Sequence, residues 1–192
     1  MEEEKHQIEI GFLRGQINDH FTYNILNMFH SQAALYSDQL ADDILELSEL
    51  MRYSVSEKEN TMATLDEEIH HTKSLITLNQ RRFGEKAQVH FEVVGNTTGW
   101  QVPHLSMLTI VENCFKHGAI TKGPLSVRVE VSEKELRLRT QNHVKSSPTT
   151  EASTGLGLKN LGRRLELLCP GRTSLRWWKE DKEFVTELKI TK

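Results

Sequence analysis

Residues 111–118 read Val-Glu-Asn-Cys-Phe-Lys-His-Gly, and they close a stretch from Pro103 in which Leu105, Leu108, Ile110, Val111 and Phe115 put apolar side chains on nearly every side. A helix that is apolar all round is a buried one, and here the spacing predicts a helix from Pro103 to His117 packed against a sheet. Glu112, Asn113, Lys116 and His117 nevertheless fall within six positions of it. Burying such groups without partners is costly, so the stretch predicts a bound polar ligand. The Asn113 amide oxygen is a hard, neutral donor suited to magnesium, and Lys116, three residues further along the same face, is placed to neutralise a phosphate. The competing reading is a helix ion pair between Glu112 and Lys116, worth about 0.3–0.5 kcal/mol. On these residues alone the two readings carry equal weight.

Downstream, Thr154-Gly155-Leu156-Gly157-Leu158-Lys159-Asn160 ends a Ser-, Thr- and Pro-rich stretch from Ser146, expected to be a mobile loop, and opens a helix expected over Leu156 to Leu168. Glycines allow close backbone approach, and a helix N-terminus presents unpaired N–H groups to an anion, which suits phosphate. A lone Gly-x-Gly is weak evidence, but beside the Asn113 stretch it supplies the phosphate half of a nucleotide site. Around these helices the pattern switches to period two. Val89, Phe91 and Val93 alternate with polar residues, Leu125 to Val131 and Glu135 to Thr140 flank a Ser132-Glu133-Lys134 turn, and Ser174 to Trp178 with Phe184 to Ile190 form a last pair. The second half is therefore read as an α/β sandwich, helices on one face of a mixed sheet, with a domain boundary near residue 85.

Upstream of residue 85 the periodicity is helical. Ile10, Leu13, Ile17 and Phe21, then Leu40, Ile44, Leu47 and Met51, step by three and four, giving one long helix from Ile8 to Tyr53 with a break expected near Gly15 or Ser37-Asp38. A polar connector at 56–61 leads to Thr64-x-x-Glu67, a capping-box pattern opening a second helix through Leu65, Ile69, Ile76 and Phe83. Two such helices make a hairpin with one narrow apolar stripe each. Pairing with a second copy into a four-helix bundle buries both stripes, so a homodimer is expected, the competing reading being a monomer whose hairpin packs on its own C-terminal domain. The fold class is α+β, with residues 1–84 as the helical part and 85–192 as the sheet domain.

Composition narrows the function. Lys and Arg number 24 against 27 Asp and Glu, a net charge of -3, which gives no basic excess for nucleic acid. Two cysteines, Cys114 and Cys169, form neither a disulfide framework nor a zinc motif. No run approaches the ~18 apolar residues of a membrane span, so any membrane attachment is expected through a segment not in this chain.

The Val-Glu-Asn-x-x-Lys-His-Gly box followed by Gly-Leu-Gly-Leu-x-Asn resembles the ATP-binding domain shared by histidine kinases, type II topoisomerases, Hsp90 chaperones and MutL. Gln16-Ile17-Asn18-Asp19-His20-Phe21-Thr22-Tyr23-Asn24-Ile25-Leu26-Asn27 is similar to the phosphoacceptor box of LytS-type sensor histidine kinases, and Met51-Arg52-Tyr53, Leu65-x-x-Glu68 and Gln80-x-Arg82-Phe83 follow that family in the same order. The resemblance implies autophosphorylation of His20 by ATP and transfer to an aspartate of a response regulator, in the cytoplasmic portion of a bacterial membrane sensor. By the same carry-over Asn24 positions the ring or a water, Glu112 orients or deprotonates His20, Asn113 ligates Mg2+ and Lys116 meets phosphate. Gly155, Leu156, Gly157 and Leu158 hold the nucleotide phosphates, and 146–154 closes as a lid. Two positions depart from the pattern. Asp19 replaces a proline, and Asn142 stands where many relatives carry the aspartate that reads adenine's amino group, offering a neutral acceptor instead. The alternatives are a nucleotide-free scaffold that docks a response regulator and an ATPase of the same fold without a phosphoacceptor.

Overall fold

The computed structural model describes residues 21–55, 61–145 and 156–192. His20, Asp19, Gly155 and the expected lid lie outside these residues. The chain divides into two compact units between Ser56 and Glu57.

In the first unit, helix α1 (residues 21–33) ends in a turn at 34–36 and helix α2 runs Asp38–Val55. The break expected at Ser37-Asp38 is where the hairpin folds. Ser37 accepts the Leu40 N–H on its hydroxyl at 3.2 Å and donates its own N–H to Ala33 at 2.9 Å, so it caps α2 while satisfying the end of α1. The Arg52 guanidinium near the end of α2 stands 5.6 Å from the centre of the Tyr23 ring near the start of α1, as antiparallel helices joined by a short turn bring them. Ala33, Ala41, Leu50 and Tyr53 are buried, whereas Phe21, Met28, Phe29, Leu40 and Leu47 are exposed.

The helix expected to complete the hairpin belongs to the other unit. Helix α3 (Leu65–Phe83) starts with the expected capping box: Thr64 Oγ1 accepts from Glu67 N at 3.2 Å, and the Glu67 carboxylate accepts from Thr64 N at 2.9 Å. Leu65, Ile69 and Ile76 then enter the same hydrophobic core as the sheet. Burial against the sheet is why the compact unit begins at Glu57, and residue 85 marks only the change from helix to strand inside it.

That unit opens with a two-stranded ribbon, β1 (Met62–Thr64) antiparallel to β3 (Gln101–Pro103). Its main sheet has the order β2-β4-β5-β7-β6, from β2 (Val89–Val94), β4 (Leu125–Val131), β5 (Glu135–His143), β6 (Thr173–Glu180) and β7 (Glu183–Thr191). The β2–β4 pair is parallel and the remaining pairs antiparallel, so the sheet is mixed as expected. Val127, Val129, Leu136, Leu138, Leu188 and Ile190 form the inner face, covered by α3, α4 (Ser106–His117) and α5 (Leu156–Leu168). Pro103 ends β3 rather than opening α4, because its register partner Met62 holds it in the ribbon. Among the described residues no helix is long and apolar enough to cross a membrane.

Candidate active site

The site is built on α4, whose start is unusual. Leu105 is in the left-handed region, at φ 61° and ψ 15°, and supplies no side-chain cap. For a leucine that conformation costs about 1–2 kcal/mol and persists only where surrounding contacts impose it. The contact is Glu68 of α3, fully buried, which accepts Leu105 N at 2.6 Å and Met107 N at 2.9 Å. A carboxylate facing the positive end of a helix replaces the missing local cap.

One turn on, Thr109 donates both its N–H (3.0 Å) and its hydroxyl (2.6 Å) to the Leu105 carbonyl. A further turn brings Asn113, whose Nδ2 donates to the Thr109 carbonyl at 2.6 Å. With the nitrogen tied to its own helix, Oδ1 is the atom left to ligate. Asn113 lies against the first turn of α5: a Cβ built on Gly157 would stand 3.3 Å from Asn113 Nδ2 and 3.6 Å from Oδ1. The two sequence motifs therefore meet, and the residue at 157 must be small for them to do so.

The far end of α4 meets β5. A Cβ on Gly118 would fall 2.3 Å from the Cys114 carbonyl and 2.6 Å from Asn142 Nδ2, closer than any real Cβ approaches, so only glycine allows the Asn142 side chain to lie there. Asn142 is 3% exposed and on the helix-bearing face. Its Nδ2 donates to the His143 carbonyl at 3.0 Å, while Oδ1 is buried without a hydrogen-bond partner. A buried acceptor of this kind calls for a donor, and the exocyclic amino group of adenine is one. Ala119 N also donates to the His143 carbonyl, at 2.7 Å, and this holds the loop after α4 to the end of β5. Beneath the site, burial pushes the Cys114 thiol up to about 11, leaving it protonated and inert.

Of the other residues singled out from sequence, Glu112 and Lys116 are exposed on α4 and form no ion pair among the described residues, so the structure gives the competing reading no support. Lys145 Nζ donates to the Lys116 carbonyl at 2.7 Å. Leu156 is exposed and Leu158 lies in the core, so the Leu158 side chain serves packing and only its backbone can face a phosphate. Asn24 is exposed on α1. His20 and Gly155 fall outside the described residues. Thr109 and the His143 carbonyl are what the motif reading missed as site components, while Glu68 and Gly118 stood in the quoted motifs without a role at the site. In residue type Glu68 resembles exposed Asp66 and half-buried Glu67, and the structure distinguishes it by its complete burial.

Residues 8–87 match the family model described as histidine kinase. That stretch of the chain is similar to the histidine kinase family. The chain is 26% identical over 183 residues to the sensor protein LytS of Staphylococcus saprophyticus, covering 88% of this chain and 31% of that protein. The chain thus spans less than a third of the length of the relatives it matches. The catalytic domain of histidine kinase ThkA, in a nucleotide-free form, shares the fold at a TM-score of 0.51 and 18% identity, covering 69% of this chain and 95% of that one. Full-length ShkA in complex with AMPPNP shares it at 0.50 and 13%, covering 92% of this chain and 45% of that one.

Proposed function

We propose that this chain is the catalytic core of a two-component sensor histidine kinase, which transfers the terminal phosphoryl group of ATP to His20 and then to an aspartate of a response regulator. The observation that carries the nucleotide reading is the meeting of α4 with two separated segments: Asn113 against Gly157 of α5, and Gly118 against Asn142 of β5, which carries an unused buried acceptor. These residues fit a magnesium adenine nucleotide. Asn142 Oδ1 would accept from the adenine amino group. The N–H groups from Gly155 to Leu158 would hold phosphates at the start of α5, Lys116 would neutralise them, and Asn113 Oδ1 would take one position on Mg2+. No group of three or more His, Cys, Asp or Glu able to hold a metal exists among the described residues, which suits a magnesium ion held largely by nucleotide phosphates. The bound metal supplies charge neutralisation at the phosphates.

In this reading the unprotonated ring nitrogen of His20 takes the phosphoryl group as ADP leaves, and the exposed Glu112 carboxylate accepts the proton from the other ring nitrogen. Asn24, one turn beyond His20, positions the ring or the water that dephosphorylates the regulator. Residues 1–56 form the dimerisation and phosphoacceptor part. The exposed Phe21, Met28, Leu40 and Leu47 support that role, since a second hairpin would cover them in a four-helix bundle. The chain is then the cytoplasmic portion of a membrane sensor, anchored by a segment outside it.

The test is incubation of the purified chain with Mg2+ and ATP labelled at the terminal phosphate. Label that is acid-labile, base-stable and lost in His20→Gln supports the proposal. Label retained in His20→Gln sinks the acceptor assignment, and no label in the wild type sinks the kinase.

A further inference from the structure

We propose that Glu68 is a positioning residue for Asn113, acting along an unbroken run of hydrogen bonds through the first turns of α4, and that Thr109 is its relay. The inference rests on the reading of Asn113 as the magnesium ligand. Glu68 Oε1 accepts Leu105 N at 2.6 Å, the Leu105 carbonyl accepts the Thr109 hydroxyl at 2.6 Å, and the Thr109 carbonyl accepts Asn113 Nδ2 at 2.6 Å. The second carboxylate oxygen accepts Met107 N at 2.9 Å, so Glu68 holds both ends of the peptide pair that starts the helix.

Three features argue that this run sets the ligand's direction and does more than hold the helix. First, an ordinary cap would be a Ser, Thr, Asp or Asn at position 105 itself. The acceptor comes instead from α3, which ties the start of α4 to a second rigid element. Second, Leu105 is kept left-handed, and that turns its carbonyl to meet two donors of Thr109 at once. A hydroxyl bonded back to the carbonyl four residues earlier bends a helix, and so re-aims the next carbonyl. Third, that re-aimed carbonyl is the one that fixes Asn113 Nδ2, and fixing the nitrogen decides where Oδ1 points. Groups that orient a metal ligand from behind are commonly worth about 10- to 100-fold in metal affinity.

The variant Glu68→Gln keeps the side chain's shape but sets an amide NH2 against one of the two N–H donors. The measurement is calorimetric affinity of the folded chain for AMPPNP, with and without Mg2+, well below the melting temperature. In the wild type Mg2+ strengthens binding. In Glu68→Gln we expect that strengthening to fall by about tenfold or more, while metal-free affinity, set by the Asn142 side of the pocket, stays within about twofold of wild type. Thr109→Val, which removes only the relay hydroxyl, covers the case in which Glu68→Gln does not fold, and it is expected to show the same selective loss. Equal proportional loss with and without Mg2+ would mean Glu68 only holds the fold and would overturn the assignment, as would no change in either. If the wild type bound AMPPNP with no effect of Mg2+, the inference would fall while the nucleotide site stood. If it bound no nucleotide, both would fall.

Discussion

Placing an aspartate at position 142, as the resemblance would lead one to look for there, is expected to damage this chain. Asn142 is 3% exposed, and its Nδ2 donates to the His143 carbonyl at 3.0 Å. In Asn142→Asp an acceptor oxygen replaces that donor and faces another acceptor. Losing the hydrogen bond costs about 0.5–1.5 kcal/mol. The larger effect is charge: an ionised carboxylate in this position is desolvated and has no partner, so the variant folds best with the carboxyl protonated. Holding a proton at pH 7.5 on a group whose ordinary pKa is about 3.9 costs about 5 kcal/mol at 1.36 kcal/mol per unit, which caps the charge penalty. The destabilisation at pH 7.5 is therefore expected at about 3–5 kcal/mol, the range for an uncompensated buried charge. The sign with pH follows from the raised folded-state pKa. Above the unfolded value the unfolded chain gives up the proton first, so the variant loses stability relative to wild type as pH rises from about 4 and regains it on acidification. Urea unfolding of both proteins at pH 5 and 7.5 measures this. A variant as stable as wild type at pH 7.5, or one that binds ATP more tightly, would refute the lock that His143 places on the amide.

Gly157→Ala is expected to hold or raise stability, since alanine is favoured over glycine in a helix by about 0.5–1 kcal/mol. It should nevertheless weaken Mg-AMPPNP binding, because the new Cβ would sit 3.3 Å from Asn113 Nδ2. Melting temperature and calorimetry on one sample separate the two effects. Cys114 gives a pH prediction at the alkaline end. Its thiol is pushed from 9.0 up to about 11 by burial, so the unfolded chain deprotonates first, and about 2–3 kcal/mol of stability is lost as pH rises from 9 to 11. Unfolding of wild type and Cys114→Ala across that range should show the difference between them shrinking, and a constant difference would contradict it. Leu47→Glu in the hairpin should turn a dimer into a monomer in sedimentation velocity, with the melting temperature of the sheet domain unchanged.

Much of the sheet domain was legible because its strands alternate cleanly and its turns are polar. The Ser132-Glu133-Lys134 turn and the β4–β5 pair around it are read directly from period two, since each of these strands has one buried face. The capping box was legible because Thr64 and Glu67 satisfy each other locally. The partner of α3 was not legible. Leu65, Ile69 and Ile76 make a stripe equally able to pack on a helix or a sheet, and only tertiary burial chooses. Likewise the meeting of Asn113 with Gly157 was inferred from chemistry, but the distance between them depends on how α4 and α5 lie on the inner face. Glu68 was legible only as part of the Leu65-x-x-Glu68 motif and its role was not, because an acidic residue in the first turn of a helix usually faces water, and its burial is decided by a helix start 37 residues away in sequence.

The most direct measurement of the nucleotide pocket is heteronuclear NMR of the side-chain amides of Asn113 and Asn142 during titration with Mg-AMPPNP. Both pairs of amide signals are assigned by substitution. Binding between α4 and α5 predicts that both shift together and saturate at one concentration, with Asn113 moving further when Mg2+ is added to the nucleotide already bound. Amide signals that stay in place up to millimolar Mg-AMPPNP would contradict the account.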